Sequence, residues 1–266
     1  MGDADISFTQ ATLLHGASGR YTARITPDWA QGRAAFGGLV AALLVRALER
    51  DVDPARTPRS MLLNFIAPVA AGHIEIETRE TRSGRALTHL EARLIQGGQT
   101  CSTMIAAFGL PGSSRIHVAG AAPSALPPRD ELTIVPHIEG VMPRFLKHFE
   151  LRWRPRDMPF SGQATGGVAG YVRHAEDVPL DTASLLALID AWPPAVLPML
   201  SRPAPASTVT WMVDPTAALD GAPGQSLQYE ASVVSAHAGY ASVESRIWSP
   251  SGVLLAASRQ LQAEYS

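Results

Sequence analysis

The carboxylate of Asp190 stands where chemistry is easiest to imagine. Leu185, Leu186, Ala187, Leu188 and Ile189 come just before it and, on a helix, point in every direction around the axis. Whichever face Asp190 takes, the turn behind it is apolar. Such a carboxylate needs a reason. Either it reaches solvent at the helix end, just before Pro193, or it is a general base whose pKa is raised by apolar surroundings and which takes a proton from water near neutral pH. A second candidate is the pair Gly37-Gly38, which opens another apolar run. Without a Cβ, the pair lets a helix start come close to a neighbouring strand. Alternatively, backbone N–H groups at a helix N-terminus face a developing oxyanion, with the helix dipole adding to the effect.

Other chemistries lack their residues. The sequence holds no Gly-X-Ser-X-Gly elbow, no Gly-X-Gly-X-X-Gly turn and no P-loop. The eight histidines include no His-Glu-X-X-His spacing, and one cysteine cannot assemble a zinc cluster, so no metal or organic cofactor is expected. His148 and His237 read as surface residues, and Cys101 as a strand residue without a base beside it. Lys147 is the only lysine against 21 arginines, which leaves lysine chemistry almost no candidate.

The composition agrees with a folded, water-soluble enzyme or binding protein. The 266 residues, 46% hydrophobic and 17% charged, carry a net charge of −2 without a basic stripe, which argues against nucleic acid as a partner. No apolar run approaches the roughly 20 residues of a membrane span. Residues 1–10 are polar rather than signal-like, and a single cysteine suits a reducing cytoplasm.

The elements that must position these residues come in two similar sets. After Gly37-Gly38 the apolar run from Leu39 to Leu48 predicts a helix buried on most sides. Strands are expected at 60–67, 73–80, 86–95 and 100–108, with turns at Ser83-Gly84 and Gln96-Gly97-Gly98-Gln99. A Gly-, Ala-, Ser- and Pro-rich stretch then spans 109–129. Beyond it, strands are expected at 149–153 and 170–174. Asp181 is positioned to cap a helix over 182–191, and Trp192-Pro193-Pro194 should stop it. Further strands are expected at 207–213, 226–235, 242–248 and 253–265. Glu91-Ala92-Arg93-Leu94 and Glu244-Ser245-Arg246-Ile247 are even spelled alike. One apolar helix followed by a run of antiparallel strands, twice over, is most economically two sheets, each wrapped around its own helix. Each half is then a hotdog, and the α+β whole a double hotdog with halves 1–110 and 146–266 joined by 111–145.

Particular segments carry a family likeness. Phe36-Gly37-Gly38 leading into the apolar helix, Asn64-Phe65-Ile66-Ala67-Pro68 and Glu80-Thr81-Arg82-Ser83-Gly84-Arg85 resemble the N-terminal half of the bacterial type II acyl-CoA thioesterases. Pro179-Leu180-Asp181 before the second helix, and 252–260 as a last strand, resemble their C-terminal half. The resemblance implies hydrolysis of an acyl-CoA thioester by water held between an Asp on the second helix, a Ser or Thr on the next strand and a Gln on the last. Carried over position by position, these are Asp190, Thr208 and Gln260, with Ser207 and Thr210 within two residues of Thr208. The amides of Gly37 and Gly38 would polarise the substrate carbonyl. The acyl chain would lie along the apolar helices in a tunnel lined by Trp192, Trp211 and Met212, and the coenzyme phosphates would need surface arginines.

Pattern alone leaves Gln260 and Thr208 open. Strict alternation groups Gln260 with Ser258, Gln262 and Glu264, opposite Leu255, Ala257 and Leu261, so it is either an exposed strand residue or a carboxamide that holds a water. Thr208 is equally a plain β-branched strand residue or a water ligand. Two other functions compete: a non-catalytic acyl-CoA or lipid carrier with the same cavity, and a hotdog hydratase or dehydratase, which would need an Asp and His pair near a helix start. By analogy with the family, a homodimer is expected.

Overall fold

An apolar helix and a half-polar sheet each have a surface that must be covered, and the chain covers both at once. The computed structural model describes residues 5–219 and 221–265, so the polar opening segment is seen only from Asp5 onward. A short α1 (Phe8–Ala11) leads to β1 (His15–Ala17) and β2 (Arg20–Ile25), then a small ribbon of β3 (Ala30–Gln31) and β4 (Ala34–Ala35). Next come α2 (Gly37–Asp51), β5 (Thr57–Phe65), β6 (Gly72–Ser83), β7 (Leu87–Gln96) and β8 (Gln99–Gly109). The second half holds β9 (Phe149–Trp153), β10 (Gly167–His174), α3 (Thr182–Asp190), β11 (Ala206–Pro215), β12 (Leu227–His237), β13 (Tyr240–Trp248) and β14 (Leu254–Glu264).

Twelve strands form one antiparallel sheet in the order β1-β2-β6-β7-β8-β5-β11-β14-β13-β12-β10-β9. From either end inward, that order follows the same path through each half to the seam between β5 and β11. At the seam Leu63 stands opposite Trp211 and Met61 opposite Val213, all on the buried face. The protein is a double hotdog. α2 is buried nearly all round, from Leu39 to Val45 and on to Leu48, because its own half-sheet covers one side and α3 the other.

The two helices run antiparallel, and local chemistry sets their ends. Asp181 caps α3: its carboxylate accepts from the Ser184 backbone N–H at 2.8 Å, and Ser184 Oγ accepts from the Asp181 N–H at 2.9 Å. Arg46 of α2 donates to the same Asp181 at 2.9 Å, which ties the far part of α2 to the start of α3. α3 ends at Asp190, before Trp192-Pro193-Pro194, as the prolines require. At this end Gly38 lies against α3. A Cβ on Gly38 would come 3.0 Å from the Ala187 Cα, so this glycine serves a close helix–helix crossing, while Gly37 beside it lies against Phe65 at the end of β5.

Residues 110–128 have no regular structure and cross the outside of the second half. They are fastened by Trp248 Nε1 donating to the Ala121 carbonyl and Gln228 Nε2 to that of Ser124, both at 2.7 Å. His148 corrects the sequence reading: far from lying on the surface, its ring stacks on Trp29 at a centroid distance of 4.0 Å, with Nε2 3.1 Å from Asp28 Oδ2. His237 is exposed, as expected. No helix among the described residues is long and apolar enough to cross a membrane.

Candidate active site

Because α2 and α3 are antiparallel, the last residue of α3 meets the first turn of α2. That start lacks a side-chain cap, since its N-cap residue is Phe36. The first N–H groups of any helix have no partner within it, and they carry the positive end of its dipole. Asp190 supplies the missing acceptor from the other half of the molecule: the Gly38 backbone N–H bonds its carboxylate. Gly37 makes room for it. A Cβ at Gly37 would stand 2.7 Å from Asp190 Oδ2 and 3.5 Å from the Phe65 ring.

The last strand contributes the second contact. Gln260 Nε2 donates to Asp190 Oδ1 at 3.2 Å, and Gln262 Nε2 donates to Gln260 Oε1 at 2.8 Å. Burial raises the Asp190 pKa to about 7, against the hydrogen bonds from Gln260 and Gly38, which favour the ionised form. The group therefore changes charge where a base for water at neutral pH should.

On β14 the face that reads as solvent-facing from sequence is the inner one. Ser258 and Gln262 are buried, while Arg259 and Leu261 look outward. Ser258 Oγ pairs with Ser245 Oγ at 2.7 Å, so the strand carries a polar strip inside the second hotdog. Gln260 is accordingly not an exposed strand glutamine.

Thr208 reaches the same site through an irregularity. Counting back by twos from the buried Trp211 would turn Val209 and Ser207 inward. A β-bulge between Thr208 and Thr210 breaks that count and sets Thr208 opposite Gln262, while Trp211 stands opposite Gln260. Residues directly opposite share a face, so Thr208 joins the Gln262 side.

These groups share a cavity of about 680 Å³ whose wall includes Gly37, Asp190, Thr208, Gln260 and Gln262. Val40, Phe65, Ile66, Val69 and Trp192 give it an apolar side. Trp192 is held by stacking on Tyr229 at 5.0 Å and 10°. Trp211 and Met212 are not in the wall: Trp211 is packed in the core, and Met212, 37% exposed, lies on the outer face of the sheet. Alternation explains the difference, since neighbours on a strand point to opposite faces.

Sequence reasoning missed Gln262 and Arg33. Arg33 is the one cation in the wall among the described residues, in the turn between β3 and β4. A hairpin of two-residue strands leaves too weak a pattern to read. Gln262 was legible only as one of the polar residues grouped with Gln260. No histidine lines the cavity among the described residues, so a hydratase-like Asp and His pair is not assembled there. Nor do three or more His, Cys, Asp or Glu residues converge as a metal site among the described residues.

Comparison with known proteins gives consistent results. Residues 25–109 match the acyl-CoA thioesterase N-terminal domain, and residues 121–263 the acyl-CoA thioesterase C-terminal domain. Among solved structures, a protein of unknown function with a hot dog fold from Alicyclobacillus acidocaldarius is 25% identical, with a TM-score of 0.87 over 99% of both chains. A protein from Thermobifida fusca YX, provisionally named a thioesterase II, is also 25% identical, with a TM-score of 0.86 over 97% of both chains. The acyl-CoA thioesterase II TesB2 of Mycobacterium marinum shares the fold at 21% identity, with a TM-score of 0.80 over 97% of this chain and 98% of its own. No curated protein sequence matches the chain.

Proposed function

Since the chain belongs to the acyl-CoA thioesterase family, we propose that it hydrolyses an acyl-CoA to the free acid and CoA by direct attack of a water activated at Asp190. The observation that carries this reading is the meeting of Asp190 with Gln260 and the start of α2 on the wall of one cavity.

The water lies between the Asp190 carboxylate and the Thr208 hydroxyl. Asp190 takes one of its protons as the oxygen bonds to the thioester carbonyl carbon. Gln260 uses one amide hydrogen to hold Asp190 and has a second for the water. The carbonyl oxygen becomes an oxyanion and faces the Gly37 N–H at the positive end of α2, since the Gly38 N–H is engaged by Asp190. When the tetrahedral intermediate collapses, the C–S bond breaks, and Asp190 returns its proton to the departing thiolate. The acyl group occupies the apolar side of the cavity, by Phe65 and Trp192.

Thiol release from a panel of acyl-CoAs, short to long and aromatic, tests the proposal. Removing a general base as Asp190→Asn should lower kcat/KM by roughly a hundredfold or more. Equal activity in the variant would take Asp190 out of the mechanism. Binding of acyl-CoA without cleavage by the wild type would make the protein a carrier.

A further inference from the structure

We infer that Gln262 is a positioning residue for this site: it fixes which end of the Gln260 carboxamide faces Asp190. As a statement about catalysis this rests on the proposed reaction, but the hydrogen-bond relay it describes can be tested without substrate.

A glutamine carboxamide is a donor at one end and an acceptor at the other, and the two ends have nearly the same shape. An ionised carboxylate can only accept. If the Gln260 oxygen faced it, two acceptors would meet, and the protonated form of Asp190 would be favoured instead. Nothing about Gln260 alone decides between the two orientations. Gln262 does, because its Nε2 donates to Gln260 Oε1 at 2.8 Å and so occupies the acceptor end. The donor end is left to Asp190 Oδ1, at 3.2 Å.

The surroundings of Gln262 support a functional reason for its polarity. It is only 4% exposed, and its own Oε1 is buried without a hydrogen-bond partner. An apolar side chain of the same length would fill that space without leaving an acceptor unpaired. Spacing by two on β14 puts Gln262 on the face of Gln260, and the bulge in β11 puts Thr208 opposite it. It therefore stands between the residue that holds the base and the residue proposed to hold the water.

Other titratable or charged groups near this site are Arg33 from the β3–β4 turn and Tyr265 beyond β14, both in the cavity wall, and the buried Tyr229 from β12, which stacks on Trp192 and interacts with the charge of Asp190. All three are unchanged in a Gln262 variant, so a difference between variants reports the relay.

The test follows the Asp190 side-chain carboxyl by 13C NMR titration in the free protein, comparing wild type with Gln262→Met, which keeps the length and removes the donor. Without the fixed amide, the Asp190 midpoint should rise by about one pH unit, because a hydrogen bond to the charged form is lost. The acid limb of kcat/KM should move up with it, a change that loss of packing alone would not produce. An unmoved midpoint in the folded variant would overturn the inference. Should Gln262→Met not fold, neutron diffraction of the deuterated wild type decides the matter. The Gln260 nitrogen toward Asp190 and a Gln262 deuteron toward the Gln260 oxygen support it, and the reverse orientation overturns it. A wild type that cleaves no thioester would sink the proposed reaction and leave the titration result standing.

Discussion

Asp190 carries its proposed role at a cost to stability, and the sign of that cost follows from its burial. Its pKa in the folded protein is about 7, against 3.8 as the ordinary value, with burial as the main cause. Between those values the folded state holds a proton that the unfolded chain has released. Stability therefore falls as pH rises from about 4 to about 7, by about 4 kcal/mol in all, and stays lowered above that. Asp190→Asn should accordingly be more stable than wild type in urea at pH 8, with the gain shrinking toward pH 4. A variant less stable than wild type at pH 8 would show that the carboxylate is better satisfied than its burial implies. Gly37 makes a sharper geometric demand. Gly37→Ala places a methyl 2.7 Å from Asp190 Oδ2, so the carboxylate must shift. A misplacement of that kind should lower kcat/KM on the order of a hundredfold, read by steady-state kinetics beside an unfolding curve.

Elements bring these residues together, and the helix crossing is the most exacting of them. Gly38→Ala adds a Cβ 3.0 Å from the Ala187 Cα and closer still to the Phe36 ring. Such overpacking should cost about 1–3 kcal/mol in denaturant unfolding. At the end of β10, His174 is buried against the rings of Phe8 and Phe149, and burial lowers its pKa to about 4. Above pH 6.5 it is neutral in both states. As pH falls from 6.5 toward 4, only the unfolded chain takes the proton, so about 3 kcal/mol of stability is lost. His174→Phe should flatten the Tm profile across that window, and an unchanged slope would assign the acid sensitivity elsewhere. How far such elements can be read from sequence depends on how regular they are. The apolar helix after Gly38 and the capped helix after Asp181 announce themselves, and the long strands follow their alternation. Thr208 does not, because a bulge resets the count between it and Trp211. Gln260 misleads because Ser258, Gln260 and Gln262 put the polar side of β14 inward, toward a cavity that needs polar groups. His148 misleads because the Trp29 that covers it is far away in sequence. The early strands β1 to β4 lie outside the strands expected from sequence: β1, β3 and β4 are only two or three residues long, and β2 precedes its helix, where the repeated order of helix then strands gives no cue to it.

At the scale of the whole molecule, the site exists because two similar halves are joined in one sheet. Each half-sheet wraps one helix, the order of strands mirrors across β5 and β11, and the helices meet end to start. The base comes from the second half and the helix start that receives it from the first, so neither half holds the proposed machinery alone. This is also why a sequence read in two halves could name the parts without seeing that Asp190 caps α2. The claim that most needs testing is that water, and not the Asp190 carboxylate, attacks the thioester. A single turnover with enzyme in excess over acyl-CoA, run in 18O-labelled water, reports which carbonyl carbon the water attacks, the acyl carbon or that of an anhydride at Asp190. Direct attack predicts one 18O atom in the acid released in that first turnover and none in Asp190. Unlabelled acid, with the label found in the Asp190 carboxyl, would mean that the carboxylate attacked to form an anhydride, and would contradict the account.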